Sequence, residues 1–262
     1  LPNGLHAEYT IKAAEYGKHV ICEKPMAVNA KECEQMVRAC KRAGKKLSIG
    51  YRLHFDPYNL RMMELGQRKV YGPVDELNAG FGFVLKDKNA WRLNKELAGG
   101  GPLMDVGIYA LQGGIYTLGE LPLKLKATDT TQDKAFFDDI EGSLEWEMVF
   151  PSGVKNKFRT TYEDHYNYVN AKAKSGEFGL DPAYSYRNLK GTTPEGAMDF
   201  GNVNQQALQM DDFARCIKEK RESIVSGEMG WRDMFIIDSI YESAATGKEV
   251  SLKGLPQFLH KV

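Results

Sequence analysis

The chain has 262 residues, 42% hydrophobic and 27% charged, a composition that excludes disorder and suits one large or two smaller globular domains. Its 35 basic and 35 acidic residues cancel and no long basic run occurs, which argues against a nucleic-acid or anionic-membrane partner. No apolar stretch approaches the length of a membrane span, so a soluble protein is expected. The four cysteines form no C-x-x-C pair and the five histidines are scattered singly, so reduced structural thiols and no metal site are expected.

Leu1-Pro-Asn-Gly4 is turn chemistry without an initiating methionine, as though the chain had been cut from something longer. A cytoplasmic setting is expected, with a periplasmic one as the alternative, because no signal region is present to judge. Apolar residues at Ala7, Ile11 and Ala14 predict a helix over residues 6–16, closed by Gly17. Val20-Ile-Cys22 reads as a short buried strand over 19–22, and Pro25, which can neither extend a ladder nor continue a helix, ends it at Glu23-Lys24. Asn29, with Glu32 three residues on, caps a helix running to about residue 43, and Gly44 stops it. Residues 47–51 form a second short strand. This succession is half of a doubly wound α/β sheet, too small to be a domain by itself.

After residue 56 the grammar changes. A helix over 57–65, ended by Gly66, precedes a glycine-containing extended strand over 74–85. Gly99-Gly-Gly-Pro102 is a tight loop feeding a helix from 103 to 118. Strand-like runs follow at 123–131, 140–150, 154–162 and 166–174, with Pro151-Ser-Gly153 as a hairpin turn, and their adjacency predicts an antiparallel sheet. Residues 191–204 read as a loop, and helices over 205–217 and 231–245 close the structure. The expected fold is therefore an α/β part over residues 1–55 and an α+β part over 56–262 with a large, mostly antiparallel open sheet. The C-terminal helices are expected to pack back on the first part.

Two constellations carry chemistry. Glu23-Lys24 is delivered at the carboxyl end of a parallel strand, where open α/β sheets bind ligands, although a solvated turn would have the same sequence. Asp105 and Tyr109, four apart on a helix, share a face, so an acid can orient a phenol for proton exchange; a capping aspartate beside a core tyrosine is the plainer alternative. Lysine, acid and phenol together can move a proton at a hydroxyl or carbonyl but contain no electron acceptor, so a redox reaction would need a cofactor. No G-x-G-x-x-G turn and no P-loop occurs in these residues.

Taken in order, Pro2-Asn3 with His6, Gly17-Lys-His-Val-Ile-Cys-Glu-Lys-Pro-Met26, Gly50-Tyr-Arg-Leu-His-Phe55, Trp91-Arg92, Gly99-Gly-Gly-Pro-Leu-Met-Asp-Val-Gly-Ile-Tyr109 and Gly227-Glu-Met-Gly-Trp-Arg-Asp233 resemble the Gfo/Idh/MocA oxidoreductase family over nearly the whole chain. The glucose-fructose oxidoreductase branch is the most similar, because it has tyrosine where many relatives have the histidine corresponding to Tyr109. The resemblance implies hydride transfer between a sugar or polyol and NADP or NAD. It places Lys24, Asp105 and Tyr109 at the reaction, and Pro2, Asn3, His6, Glu23, Lys24, Arg52, Trp91 and Arg92 along the cofactor cleft. It also implies a Rossmann domain whose N-terminal part, with the pyrophosphate-binding turn, lies outside these residues. Poor dinucleotide binding and no activity of the chain alone are therefore expected. A homodimer or homotetramer through the open sheet is expected as well, and a non-catalytic assembly module is the alternative function.

Overall fold

A computed structural model describes all residues, 1–262. After a short 3-10 turn at Asn3–Leu5, α1 (His6–Glu15) leads into β1 (Val20–Cys22), α2 (Ala30–Arg42) and β2 (Leu47–Ile49). β1 and β2 pair in parallel, with Cys22 opposite Ile49. The Asn29 side chain accepts the Glu32 N–H at 2.9 Å, so the predicted cap forms and fixes where α2 starts after the Glu-Lys-Pro turn. The strand expected over 47–51 stops at Ile49, because the chain turns at Tyr51 into a 3-10 segment, Arg52–Phe55.

Asp56 caps α3 (Pro57–Gln67), accepting the Tyr58 N–H at 3.0 Å with Pro57 in the first turn. The helix does not stop at Gly66 as expected. A Cβ at Gly66 would collide with the Thr117 carbonyl oxygen, so this glycine serves the close approach of α3 to α5 (Ile108–Leu118), while α3 continues through it to Gln67. Between these helices come β3 (Val74–Gly82), three residues shorter than expected, and the single-turn α4 (Lys95–Ala98), capped by Asn94 and ended by Gly99 at φ 81°. The segment feeding α5, Leu103–Gly107, is a π-helical turn rather than ordinary α-helix.

β4 (Lys124–Asp129), β5 (Ser143–Val149), β6 (Lys155–Thr161) and β7 (Tyr166–Ala173) fall on the four predicted runs, and β8 (Gly176–Leu180), which was not predicted, follows in a tight antiparallel pair with β7. Residues 191–204, expected as loop, instead contribute β9 (Gly191–Thr193) and β10 (Gly196–Ala197), which extend the ladder from β8. The nine-stranded sheet has the order β10-β9-β8-β7-β3-β6-β5-β4-β11, its far edge being β11 (Val250–Ser251). All its pairings are antiparallel except β3 with β6, where Ala79 faces Phe158 in a parallel register. This is the Rossmann-like element followed by a large, mostly antiparallel sheet that the sequence predicts.

α6 (Gln205–Lys218) and α7 (Gly227–Thr246) follow, α7 starting four residues earlier than the pattern suggests. Its first turn lies against β2, where a Cβ at Gly230 would sit 2.7 Å from Met26 Sδ and one at Gly227 would sit 2.7 Å from Leu47 Cδ2. α7 also packs on α2 and β4, so one helix bridges the two sheets. A single cluster of 52 buried apolar residues runs through both parts of the chain, from Ala7 to Leu255. That continuity holds the carboxyl end of β1 against the start of α5.

Candidate functional site

Lys24 leaves the end of β1 and reaches across to the π-helical turn. Its Nζ donates to the Asp105 carbonyl oxygen at 2.5 Å and lies 3.5 Å from Asp105 Oδ1. Arg92 Nε, from the turn after the Trp91 bend, donates to Asp105 Oδ2 at 2.7 Å, and the Tyr162 hydroxyl donates to the same oxygen at 3.0 Å. Burial alone would raise the Asp105 pKa. Lys24, then Arg92, then the Tyr162 hydrogen bond outweigh it and hold this carboxyl below the ordinary aspartate value. Tyr162 is pushed the other way, first by burial and then by the charge of Asp105, so it stays a phenol and donates.

Asp105 is thus neither a helix cap nor the partner of Tyr109. The phenol it engages is Tyr162, at the end of β6, because the π-helical turn rotates its carboxylate toward Arg92 and the sheet. The turn is fixed from behind by Glu141, whose carboxylate accepts the Gly101 N–H at 2.9 Å, the Leu103 N–H at 3.1 Å and the Tyr241 hydroxyl at 3.0 Å. Burial raises Glu141 to about 7 against these donors. Neither Tyr162 nor Glu141 carried a motif; Tyr162 is legible only as an inward position of an alternating strand.

Tyr109 lies one turn further along. The Lys24 ammonium sits 4.9 Å from its ring centroid, Tyr184 stacks on it at 6.0 Å and 24°, and Phe81 lies 5.8 Å away. No protein group hydrogen-bonds its hydroxyl, while the ring is buried. Lys24, Asp105 and Tyr109 therefore meet at the edge of β1, with Arg92 as a fourth member.

The other residues expected along the cofactor cleft divide. Glu23 is exposed beside Gly50, where a Cβ would come within 2.6 Å of its carboxylate. Trp91 and Arg92 stack on each other at 4.9 Å. Asn3 and His6 are buried and face inward: Asn3 Nδ2 donates to the Ala98 carbonyl at 2.8 Å, and His6 Nδ1 donates to the Pro25 carbonyl at 2.9 Å. With Pro2 opening their turn, His6 braces the Glu-Lys-Pro segment from beneath and Asn3 ties the turn to the end of α4. Arg52 is 4% exposed and also faces inward; its guanidinium donates to the Tyr184 carbonyl at 2.6 Å, the Ser185 carbonyl at 3.2 Å and Gln205 Oε1. A cavity of about 670 Å³ opens on the far side of the Gly99–Gly101 loop, between Lys95, Glu141, Asp238 and Tyr241; none of Lys24, Arg92, Asp105 and Tyr109 lines it.

Residues 1–51 match the model of an oxidoreductase family with an NAD-binding Rossmann fold, and residues 60–179 match the GFO/IDH/MocA C-terminal domain. The crystal structure of an aldose-aldose oxidoreductase from Caulobacter crescentus complexed with glycerol superposes with a TM-score of 0.92 at 37% identity, over 95% of this chain and 77% of that one. A D-xylose 1-dehydrogenase [NADP(+)] from Haloarcula marismortui is 30% identical over 96% of this chain and 72% of its own length. A levoglucosan dehydrogenase in complex with NADH and L-sorbose shares the fold, with a TM-score of 0.81 at 22% identity. These matches run over nearly all of the chain, and the expected inactivity of the chain alone finds no support in them. Both parts of the molecule, in order, carry the family's two domains: the chain belongs to the Gfo/Idh/MocA oxidoreductases, with an NAD(P)-binding Rossmann element.

Proposed function

We propose that this chain acts in the NAD(P)-dependent interconversion of a sugar or related polyol and its oxidised form, with Lys24, Asp105 and Tyr109 as the reacting group. The observation that carries the reading is their convergence at the carboxyl end of a parallel strand, the edge at which α/β sheets bind ligands. Tyr109 exchanges the proton of the substrate hydroxyl, its own hydroxyl having no protein hydrogen-bond partner and its ring lying under Lys24. Lys24 stands over the same ring and orients the substrate oxygen by donating to it. Asp105 holds Lys24 in place and fixes the charge of the pair. The names of the aldose-aldose oxidoreductase and the D-xylose dehydrogenase favour an aldose, and the latter favours NADP.

The residues fit the nicotinamide end of such a cofactor. Glu23, Trp91 and Arg92 present charged and aromatic surface beside Lys24, the bare backbone of Gly50 allows close approach, and Pro2, Asn3 and His6 shape the turn beneath. When bound, the dinucleotide supplies the two-electron acceptor that these side chains lack. The division near residue 55 separates the cofactor-binding part from the substrate-binding and oligomerisation part, and association of copies through the face of the nine-stranded sheet belongs to the same reading. The test is absorbance at the nicotinamide band with the purified chain, NADP or NAD, and a panel of aldoses and polyols. Folded protein that turns over none of them with either cofactor sinks the proposal and leaves the assembly role.

A further inference from the structure

Arg52 sits at the carboxyl end of β2, as Lys24 sits at that of β1, and both cations face one ring. Its Cζ lies 5.3 Å from the Tyr109 centroid, and the exposed ring of Tyr186 covers its other side at 3.7 Å. Two of its nitrogens are tied to the Tyr184 and Ser185 carbonyls, and Tyr184 in turn stacks on Tyr109. The third, Nε, is buried with no acceptor. A buried guanidinium with a free donor is costly unless its charge is used nearby, and the neighbouring group whose charge can change in a proton exchange is the phenol of Tyr109.

We propose that Arg52 is a positioning residue that acts through Tyr109, clamping the phenol between Lys24 and Tyr184 and stabilising the negative charge that its oxygen carries during proton exchange. This rests on the functional reading above. In the reducing direction, with hydride supplied to the carbonyl carbon by the reduced dinucleotide, the Tyr109 O–H bond breaks, the proton goes to the substrate oxygen and the electron pair stays on the phenolate oxygen; in the oxidising direction the phenolate takes the substrate hydroxyl proton as the carbon gives its hydride to the oxidised dinucleotide. Two flanking cations stabilise that charge directly, whereas a cofactor ligand would have to reach out from the edge, and Arg52 is turned inward. Lys24 and Arg52 differ in freedom: the lysine is a flexible point charge, the arginine a rigid fork held by the backbone of the Tyr184 segment.

The test is a double-mutant cycle on the full chain. R52Q is expected to lower kcat roughly 100-fold, the scale of a misplaced catalytic group, with KM for the dinucleotide unchanged within about twofold. In the Tyr109→Phe background, which keeps the ring and removes the hydroxyl, R52Q is expected to change kcat by less than about threefold. R52K, which restores charge without the fork, is expected to recover at least about tenfold of the loss. If R52Q does not fold, the same cycle is run with R52K. Equal losses in both backgrounds, no recovery by R52K, or a loss confined to dinucleotide KM overturns the proposal. An independent arm uses 3-fluorotyrosine-labelled protein, with the Tyr109 resonance assigned by its loss in Y109F. R52Q is expected to shift that resonance, and an unmoved resonance overturns the clamp even if no sugar turnover is found, so failure of the functional reading is seen separately.

Discussion

Asp105→Asn removes one negative charge from between two cations while keeping the shape of the side chain. The gross Lys24–Asp105 attraction at 3.5 Å is about 5 kcal/mol at an effective dielectric of about 20. Most of that offsets the dehydration of the two groups, and the Arg92 pairing is discounted because that side chain is 38% exposed. A net loss of about 2 kcal/mol remains, equivalent to a fall in Tm of about 4–8 °C for a chain of this size. The folded-state pKa of Asp105 is depressed, so on acidification the unfolded chain binds the proton first. Its stabilisation is fully present above the unfolded value of about 3.9 and is lost as pH falls through the lower folded value. Thermal unfolding of wild type and variant across the pH range is therefore expected to show a constant Tm gap from about pH 8 to about pH 5 that narrows only below about pH 4. A gap that closes between those first two values would mean that burial outweighs the cations, and the reading of the site as a charge-fixed carboxylate would be refuted.

Lys24→Met is expected to lower kcat by about 100-fold or more with a smaller fall in Tm than Asp105→Asn, because Arg92 and Tyr162 still pair the carboxylate; retained kcat removes Lys24 from the reaction. His54 is buried and pushed down to about 3 by desolvation and then by His260, so below the unfolded value only the unfolded chain gains its proton. Its contribution to stability is thus lost progressively as pH falls from about 6.5 toward 3, and His54→Gln is expected to flatten acid unfolding over that window. Glu141 has the opposite sign: held near 7 by burial, it binds a proton in the folded state that the unfolded chain has released, so stability falls as pH rises from about 4.5. Glu141→Gln is expected to gain in Tm relative to wild type between pH 5 and pH 8, and a constant difference would contradict the raised value. Gly66→Ala is expected to cost about 3 kcal/mol through the Thr117 carbonyl, read as a fall in Tm of about 6–12 °C, whereas a helix-stop role would leave Tm nearly unchanged.

The sequence patterns that carried furthest were those set by local chemistry. Asn29 with Glu32 capped its helix and Pro25 ended its strand, because each acts on backbone within a few residues. The alternating runs after residue 123 gave nearly correct strands for the same reason. Gly66 misled because a glycine needed for close helix packing looks the same in sequence as one needed for a left-handed turn. The short β9 and β10 have too few residues to show alternation. Lys24, Asp105 and Tyr109 were singled out, but which phenol Asp105 engages depends on a π-helical turn held by Glu141 from 36 residues further on, and no local pattern encodes that. Arg52 was noticed for its place in a motif; its inward orientation follows from carbonyls at Tyr184 and Ser185 that only the folded chain brings near.

The lengths of the edge strands bear on how copies of this molecule can stick together. The nine-stranded sheet tapers to β10 and β11, each of two residues, so neither border offers a row of free amides and carbonyls long enough to template another chain. Strand-to-strand aggregation therefore finds no long template at either border of the nine-stranded sheet, and association of copies has to use its face.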